Sequence, residues 1–432
     1  MSSRLFAGAG ALAIILAAGH ASAAAQDQSF QPAEKPQKAG AGKAHILERP
    51  AALGATVESV LAVGRQLNPA LRAAALETSA TAAKAAGADA LDDPTVSDSY
   101  QYYRNPNVFS GHAVMVTQAF PLWGKRDLRR EAALADLDAA RGREQTTRDA
   151  LDERIKIAFA QYYARSRALA VNQEVIAVTR GMRATAEARY AAGTGDQAAA
   201  IRALGEETSA SIETARIEGD RAVAREVLNA LLARPANAPL AEPLRLRRLP
   251  AREFAIASLV ERARGGSPSL ATSSAEISAA RSRAELAEKA WYPDLTVGAG
   301  PLVQTNNRPP GVAATVGFNI PLPWGREASE QQAATAQLGA AQLLDIQSAL
   351  AEAREKLKAA QRAEALVARK ALPEARAALK SVVSDYSQGR SDLGAALEAQ
   401  HRVHDLELKL LQVELDEQTA FAGIERLIGG EL

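Results

Sequence analysis

The residues of this 432-residue chain that could do chemistry are few, and the most suggestive ones lie near its C-terminal end. Glu398 and His401 have the Glu-x-x-His spacing of carboxylate metal sites, and His404 comes about one helical turn later. Such sites need further ligands from a second helix, and the sequence holds no second copy of the pattern. We therefore predict histidines on a helix surface and no metal site.

Motifs for catalysis or cofactor binding are absent from the sequence. It contains no cysteine, which excludes disulfides, thiolate metal sites, a thiol nucleophile and a lipidated N-terminal cysteine. A nucleophile elbow, a glycine-rich phosphate loop and paired zinc-ligand spacing are missing too. The net charge of +1 and the aromatic content of 4% provide neither a basic field nor stacking platforms for nucleic acid. We predict no enzymatic activity, no cofactor and no nucleic-acid partner.

The N-terminal region has the features of an exported protein. Arg4, the apolar run 5–18 and the small residues around 21–25 predict a secretory signal peptide over residues 1–25. The run is shorter than the ~20 residues that a membrane-spanning helix needs, and no later stretch approaches that length. Residues 26–55 are rich in Gln, Pro, Ala, Gly and Lys without periodicity, and we predict a disordered mature arm there.

A seven-residue segment that occurs twice organises the rest of the chain. Residues 120–126 read Phe-Pro-Leu-Trp-Gly-Lys-Arg, and residues 320–326 read Ile-Pro-Leu-Pro-Trp-Gly-Arg, 200 positions later (321 − 121). Each copy follows a period-two strand pattern and precedes a long Ala-rich helical pattern. The tryptophans could be interfacial aromatics or packed core residues. We predict strand-to-helix junctions at Pro121, Trp123, Gly124, Pro321, Trp324 and Gly325.

The duplication sets the predicted domain organisation. The first repeat covers 56–233 with a β-hairpin at 95–120, a Pro-rich linker covers 234–252, and the second repeat covers 253–432 with a hairpin at 295–320. Each repeat has two short helices, the hairpin, a long helix, a turn and a return helix. The long helices span about 90–100 Å and the return helices about 55 Å. The helix before each hairpin must therefore stack on the end of the return helix.

The hairpins predict an oligomer. Their strands approach the ~9–11 residues of a tilted transmembrane strand. A four-stranded sheet in lipid would leave two unpaired edges, and unsatisfied backbone groups in hydrocarbon cost several kcal/mol each. Several subunits must therefore contribute strands to one closed barrel. The predicted fold class is mostly α with a β-barrel portion: a duplicated long-helix coiled-coil α-barrel and four transmembrane β-strands per chain.

Over roughly residues 56–429 the chain resembles the outer-membrane efflux protein family, the TolC-like factors. The likeness rests on Pro-Leu-Trp-Gly-Lys-Arg at 121–126, on two Tyr-x-x-Gly turns, on Leu-Pro-Glu-Ala at 372–375 and on Leu-Glu-Ala-Gln at 397–400. These motifs resemble the heavy-metal (cobalt-zinc-cadmium type) efflux branch. The resemblance implies a homotrimer whose outer-membrane β-barrel continues into a periplasmic helical tunnel. It also implies docking of the helical tips onto a periplasmic adaptor protein and an inner-membrane RND pump.

The resemblance assigns adaptor contact to the turns at the two tips, namely Tyr190, Gly193, Asp196, Tyr386, Gly389, Asp392 and Leu393. Any helix hairpin needs a glycine to end one helix and an Asp N-cap to start the next, so capping is the alternative role. The first tip has Gly195 and Gln197 where the second has Ser391 and Leu393, which predicts unequal contacts.

The family's two acidic gate positions fall on Ala395 and Glu398. Glu398 alone is therefore the candidate periplasmic gate, and a solvated helix face is the alternative.

The predicted function is that of a passive exit duct for heavy-metal cations in the outer membrane of a Gram-negative cell, with the helices in the periplasm and outer-membrane lipid around the barrel. Drug or organic efflux and type I protein secretion are alternatives within transport. A structural periplasmic coiled-coil protein that neither spans nor conducts is the alternative from another class.

Overall fold

The computed structural model describes residues 52–102, 104, 111–250, 254–304, 309–319 and 342–432. These residues are mostly helical and carry one small antiparallel sheet, which confirms the predicted balance of elements. The predicted signal peptide (1–25), most of the predicted arm (26–51) and the second junction with Pro321, Trp324 and Gly325 lie outside the described residues. Among the helices of the described ranges, none is both long and apolar enough to cross a membrane.

The two halves of the chain contain elements in the same order. The first half contains α1 (Val57–Leu67), α2 (Pro69–Ala86), β1 (Thr95–Gln101), β2 (Gly111–Phe120), α3 (Lys125–Ala191) and α4 (Gln197–Leu231). The second contains α5 (Ile256–Gly266), α6 (Pro268–Lys289), β3 (Leu295–Gln304), β4 (Gly311–Phe318), α7 (Gln342–Leu366), α8 (Leu372–Ser387) and α9 (Leu393–Ile428).

Helix α3 is the longest described element, and its two ends have different neighbours. With 67 residues it is about 100 Å long. Helices α2 and α6 pack on its N-terminal part, where Arg143 pairs with Glu276 of α6. Helices α4 and α9 pack on its C-terminal part, where the Asn172 amide donates to the Ala210 carbonyl of α4. Each neighbour therefore covers part of α3.

The short helices continue the return helices end to end, as predicted. Asn68 caps α2, and its Nδ2 donates to the carbonyl oxygen of Leu231 at the end of α4 over 2.9 Å. In the second half, the end of α9 meets the α5–α6 turn so closely that the Gly266 carbonyl leaves no room for a Cβ on Gly429. The two stacked pairs therefore lie beside α3.

Each half of the chain has its own apolar core, and the two cores have equivalent positions. In the first half α1 packs between α3 and α4, and in the second half α5 packs between α7 and α9. Burying one Leu, Ile or Phe side chain stabilises a fold by roughly 1.5–3 kcal/mol. The largest fully buried side chains of these cores are Val60, Ile155, Phe159, Tyr162, Leu228, Leu232, Leu259, Leu350, Phe421 and Ile424.

One prediction about the second long helix needs correction. The sequence pattern predicts an uninterrupted helix over residues 326–386, of which 326–341 lie outside the described residues; within the rest, a π-helical turn at Val367–Ala371 separates α7 from α8. Pro373 has no N–H for the carbonyl of Arg369, and its ring crowds that carbonyl. Widening the turn before the proline relieves the crowding. In the sequence, the Leu372-Pro373 step inside the helical pattern is the feature that indicates this interruption.

Candidate functional site: a two-faced sheet, its junction and the helical tips

The four strands form one sheet in the order β1-β2-β3-β4, and all neighbours are antiparallel. Cross-strand partners share a face, so the register defines two faces. Val96 pairs with Val116, and Val297 pairs with Val316. Thr117 pairs with Gly298, and Gly298 with Thr315. One face is therefore rich in valine and the other in small residues.

The valine face is mostly apolar and half to fully exposed, with Gln118 as a polar member. Its members include Val96, Tyr100, Val114, Val116, Phe120, Leu295, Val297, Val303, Val312, Val316 and Phe318, and Val316 is 66% exposed. Two ionisable residues on this face pair with each other: His112 Nδ1 lies 3.1 Å from Asp98 Oδ2, and the His112 ring packs on Tyr100. A continuous exposed apolar face of this kind marks contact with lipid or protein.

The small-residue face consists mostly of Thr, Ser, Ala and Gly, and Met115 and Leu302 are its large apolar members. Its members include Thr95, Ser97, Ser99, Ala113, Thr117, Thr296, Gly298, Gly300, Ala313, Thr315 and Gly317. The alternation of an apolar and a polar or small face along every strand is the pattern of transmembrane strands around an aqueous interior. Within the described residues, β1 pairs with β2 alone and β4 with β3 alone, so both edges are open.

The first junction has a left-handed backbone. Trp123 has φ 63° and Gly124 has φ 75°, a region that costs L-residues other than glycine about 1–2 kcal/mol. The Trp123 indole Nε1 donates to the Pro293 carbonyl over 2.7 Å, and its ring packs on Tyr292. These contacts hold the turn that ends β2 and starts α3.

A buried ion pair ties this junction to the second half of the chain. Lys125, 4% exposed, donates to Asp294 Oδ1 over 2.8 Å and to the Tyr292 carbonyl over 2.7 Å. The same Asp294 oxygen accepts from the Leu122 backbone N–H. The start of α3 is thereby fixed to the start of β3.

Sequence reasoning missed Tyr292 and Asp294 as partners of the junction. Residues 291–294, Trp-Tyr-Pro-Asp, precede β3 and indicate the start of a strand. Their two aromatic residues before Pro-Asp are the only sequence signal, and they do not indicate which junction the segment contacts. Pro121 is half-buried next to this cluster.

Gly124 provides the first testable prediction. Gly124→Val is expected to lower the yield of assembled protein, because a β-branched residue at φ 75° is strained by about 1–2 kcal/mol or more. A Cβ at this position meets open space, so the effect comes from the backbone alone. Gly124→Asn is the control, since Asn tolerates this conformation. Heat-resistant oligomer on gels measures the effect, and normal assembly of the valine variant would contradict the placement.

Each tip closes with a Schellman turn and an Asp cap. Gly193 and Gly389 have φ 71° and 78°, and the N–H of the following residue donates back to Arg189 O or Asp385 O. Asp196 then caps α4 by accepting from Ala198 N, and Asp392 caps α9 by accepting from Ala395 N. The capping part of the tip prediction is confirmed.

The two tips differ in exposure. Tyr190 is 49% exposed, whereas Tyr386 is 3% exposed. Tyr386 and Leu393 belong to a core that joins α3 and α4 to α8 and α9. Arg189 Nη1 donates to the Tyr386 carbonyl over 3.0 Å, and its guanidinium lies over the Tyr386 ring. Tyr190, Gly193, Asp196, Gly389 and Asp392 therefore present the accessible surface of the tips.

Glu398 and the two histidines lie on α9 near the tips. Glu398 is exposed. His401 Nε2 lies 3.2 Å from Glu206 Oε2 of α4, and His404 is half-buried. No group of three or more potential metal ligands occurs in the described ranges. The pattern Glu398-x-x-His401 thus contacts α4 through its histidine.

The fold is that of outer-membrane channel proteins. Residues 259–430, which lie within the second half of the chain, match the family model described as Outer membrane efflux protein. No curated protein matches the chain.

Solved channel structures match nearly the whole chain. The outer membrane protein VceC from Vibrio cholerae is 18% identical, with a TM-score of 0.71 over 87% of this chain and 96% of that one. CusC, whose structures concern folding and transmembrane channel formation, is 17% identical with a TM-score of 0.71 over 87% and 92%. The MtrE outer membrane channel of Neisseria gonorrhoeae is 19% identical with a TM-score of 0.69 over 87% and 89%. At these identities the likeness concerns the fold.

Proposed function

We propose that this chain belongs to the outer-membrane efflux proteins and forms the passive outer-membrane duct of a tripartite exporter. Three copies pair the open edges of β1 and β4 from chain to chain and close one β-barrel. The helices of the three copies form a tunnel in the periplasm. The duct itself does no chemistry, and its inner-membrane partner drives transport.

The observation that carries the proposal is the two-faced sheet. The valine face suits lipid, the small-residue face suits an aqueous interior, and four strands are too few to enclose one. Unpaired backbone groups at both edges would cost several kcal/mol each in hydrocarbon. Pairing between copies removes both edges at once. The family match of residues 259–430 and the channel fold support the same function.

The helices also support assembly from several copies. Helix α4 carries large apolar side chains that are exposed in the single chain, at the helical spacing of one stripe. This stripe consists of Ile201, Leu204, Ile212, Val223 and Val227. Isolated exposed apolar residues need no explanation, but a stripe along a whole helix favours a partner surface. A neighbouring copy in the trimer provides that surface.

The proposed partners are a periplasmic adaptor protein at the tips and an inner-membrane RND pump, and the proposed cargo is heavy-metal cations. The tips support an adaptor contact because their glycine turns, Tyr190 and the Asp caps are accessible. Exposed Glu398 supports a gate, because three copies of a carboxylate around a narrow lumen attract cations together. The motifs at 372–375 and 397–400 support the metal branch.

Tyr190 tests the proposal in cells. Tyr190→Ser is expected to lower tolerance to zinc, cobalt and cadmium salts several-fold, with unchanged amounts of trimer, because it removes an exposed aromatic anchor from the adaptor surface. Tyr102→Ser is the matched control, since Tyr102 is also exposed but follows β1, far from the tips. Growth on metal salts and on organic toxicants is measured in parallel.

Each outcome of this experiment has a meaning. Equal tolerance of both variants would contradict an adaptor contact at Tyr190. Loss of tolerance to organic toxicants alone would overturn metal export and favour drug efflux.

A further inference from the structure

Three glutamates meet where α7, α9 and α3 pack together. Glu414 and Glu417 are three residues apart on one face of α9, and Glu364 of α7 is close enough to act electrostatically on both. All three are half-buried. The Gln361 amide of α7 donates to Glu417 Oε1 over 3.3 Å. Three like charges therefore lie close together where α7 packs on α9, beside the Gln361–Glu417 hydrogen bond.

The surroundings compensate these charges only in part. From α3, Arg167 acts on Glu414 as a cation, and the charge of Glu414 acts in turn on the Tyr163 hydroxyl. Burial, together with the neighbouring glutamates, raises the pKa values of Glu414 and Glu417. Burial and the Glu414 charge also raise the pKa of Tyr163. Ionised carboxylates are therefore unfavourable in the packed arrangement.

A backbone feature lies directly beside the cluster. The π-helical turn Val367–Ala371 begins three residues after Glu364, and no residue of the turn is buried. After the π turn, α8 runs toward the tip, where the Arg376–Glu407 ion pair and the apolar core at the tips hold it to α9. The π turn therefore connects α8, which is held to α9 near the tip, with α7, which carries Glu364 and packs against the other two glutamates.

We propose that Glu414 and Glu417 of α9, packed against Glu364 of α7, form a proton-sensitive joint: ionised, the two α9 carboxylates loosen the packing of α7 on α9 next to the π turn, and protonated, they let it close. The three glutamates lie in the helices, and the proposed pH response does not depend on which substrate the duct carries.

The direction of the pH effect follows from linkage. A carboxyl whose pKa is raised by folding binds its proton more tightly in the packed state, so packing is favoured at low pH. As the pH rises through the ordinary glutamate value of about 4.3 and then through the raised value, the packed state loses stability. Above both values the destabilisation is complete. The relevant window therefore starts near pH 4 and extends upward.

Spin labels on the two helices test the joint. The chain contains no cysteine, so cysteines at the exposed positions Ala359 of α7 and Thr419 of α9 can be labelled selectively in the full-length assembled protein. The intramolecular distance distribution is measured at pH 4.5 and pH 7.5. We expect a narrow, short distribution at pH 4.5 and a broader, longer one at pH 7.5.

Glutamine variants decide the outcome. The variant E364Q/E414Q/E417Q is expected to lose the pH shift and to show the short distribution at both pH values, whereas Glu352→Gln on α7 keeps the wild-type response. Glu352 pairs with Lys356 on the surface, so it controls for general carboxylate titration. A wild-type distribution that does not change with pH, or a shift that persists in the triple variant, would overturn the proposal. Glu414→Gln alone should reduce the shift, which provides a test with minimal change to the fold.

Discussion

Val316→Arg is expected to prevent stable insertion of the protein into the outer membrane. Val316 lies in the middle of the valine face on β4 and is exposed in the single chain. An arginine on the lipid face of a membrane strand costs about 2–4 kcal/mol near the bilayer centre. In the proposed trimer, three copies of the arginine multiply this cost. Membrane fractionation and heat-resistant trimer on gels should both show a large loss.

The neighbouring residue provides the control for this prediction. Thr315→Arg places the same side chain one position earlier, on the small-residue face. An arginine facing an aqueous interior keeps its hydration, so insertion should be near normal while the ion selectivity of the pore changes. Equal insertion of the two variants, or a greater loss for Thr315→Arg, would mean that the faces have been assigned to the wrong environments.

Glu425→Gln is expected to destabilise the packing of the helices strongly. The Glu425 side chain is 5% exposed and binds Lys156 of α3 over 2.8 Å. It also binds Arg247 of the linker through two hydrogen bonds of 3.0 and 2.9 Å. Removing its charge leaves two buried cations beside each other. Breaking a buried ion pair in this way costs about 3–5 kcal/mol.

Glu153→Gln is the control for this prediction, because it removes the same charge from a more exposed ion pair. Glu153 of α3 pairs with Arg426 over 2.9 Å, one residue after Glu425, but this pair is more exposed. Glu153→Gln should cost about 0–1 kcal/mol. The midpoints of urea unfolding of the two variants, followed by helical circular dichroism, give the comparison. Similar midpoints for both variants would show that the linker contact contributes little to stability.

Much of this fold could be predicted from the sequence, because it depends on interactions between residues that are close together in the chain. Period-two and period-3.6 patterns distinguish strands from helices, and glycine turns with Asp caps mark the tips because these residues satisfy backbone groups of their own neighbours. Asn68 is an example: Asn followed by Pro69 is a typical start of a helix, and the Asn68 side chain accepts from Ala70 N. Such contacts span a few residues, so the sequence contains them directly.

Contacts between distant segments were not predictable in the same way. Lys125 and Asp294 are 169 residues apart, and Arg247 and Glu425 are 178 apart. Their types alone suggest surface charges, and only packing of the two halves buries them. Likewise, the matching sequences of the tips did not indicate that Tyr386 is buried under Arg189 while Tyr190 is exposed. These differences arise from the asymmetric packing of two similar halves.

Single-channel recording on the purified protein tests the central claim most directly. The protein is extracted from outer membranes, its mass is measured, and it is added to a planar lipid bilayer. A trimeric duct predicts a particle of three chains that inserts as one unit and produces uniform conductance steps. A monomeric particle that produces no conductance would contradict the account and would favour a structural coiled-coil protein.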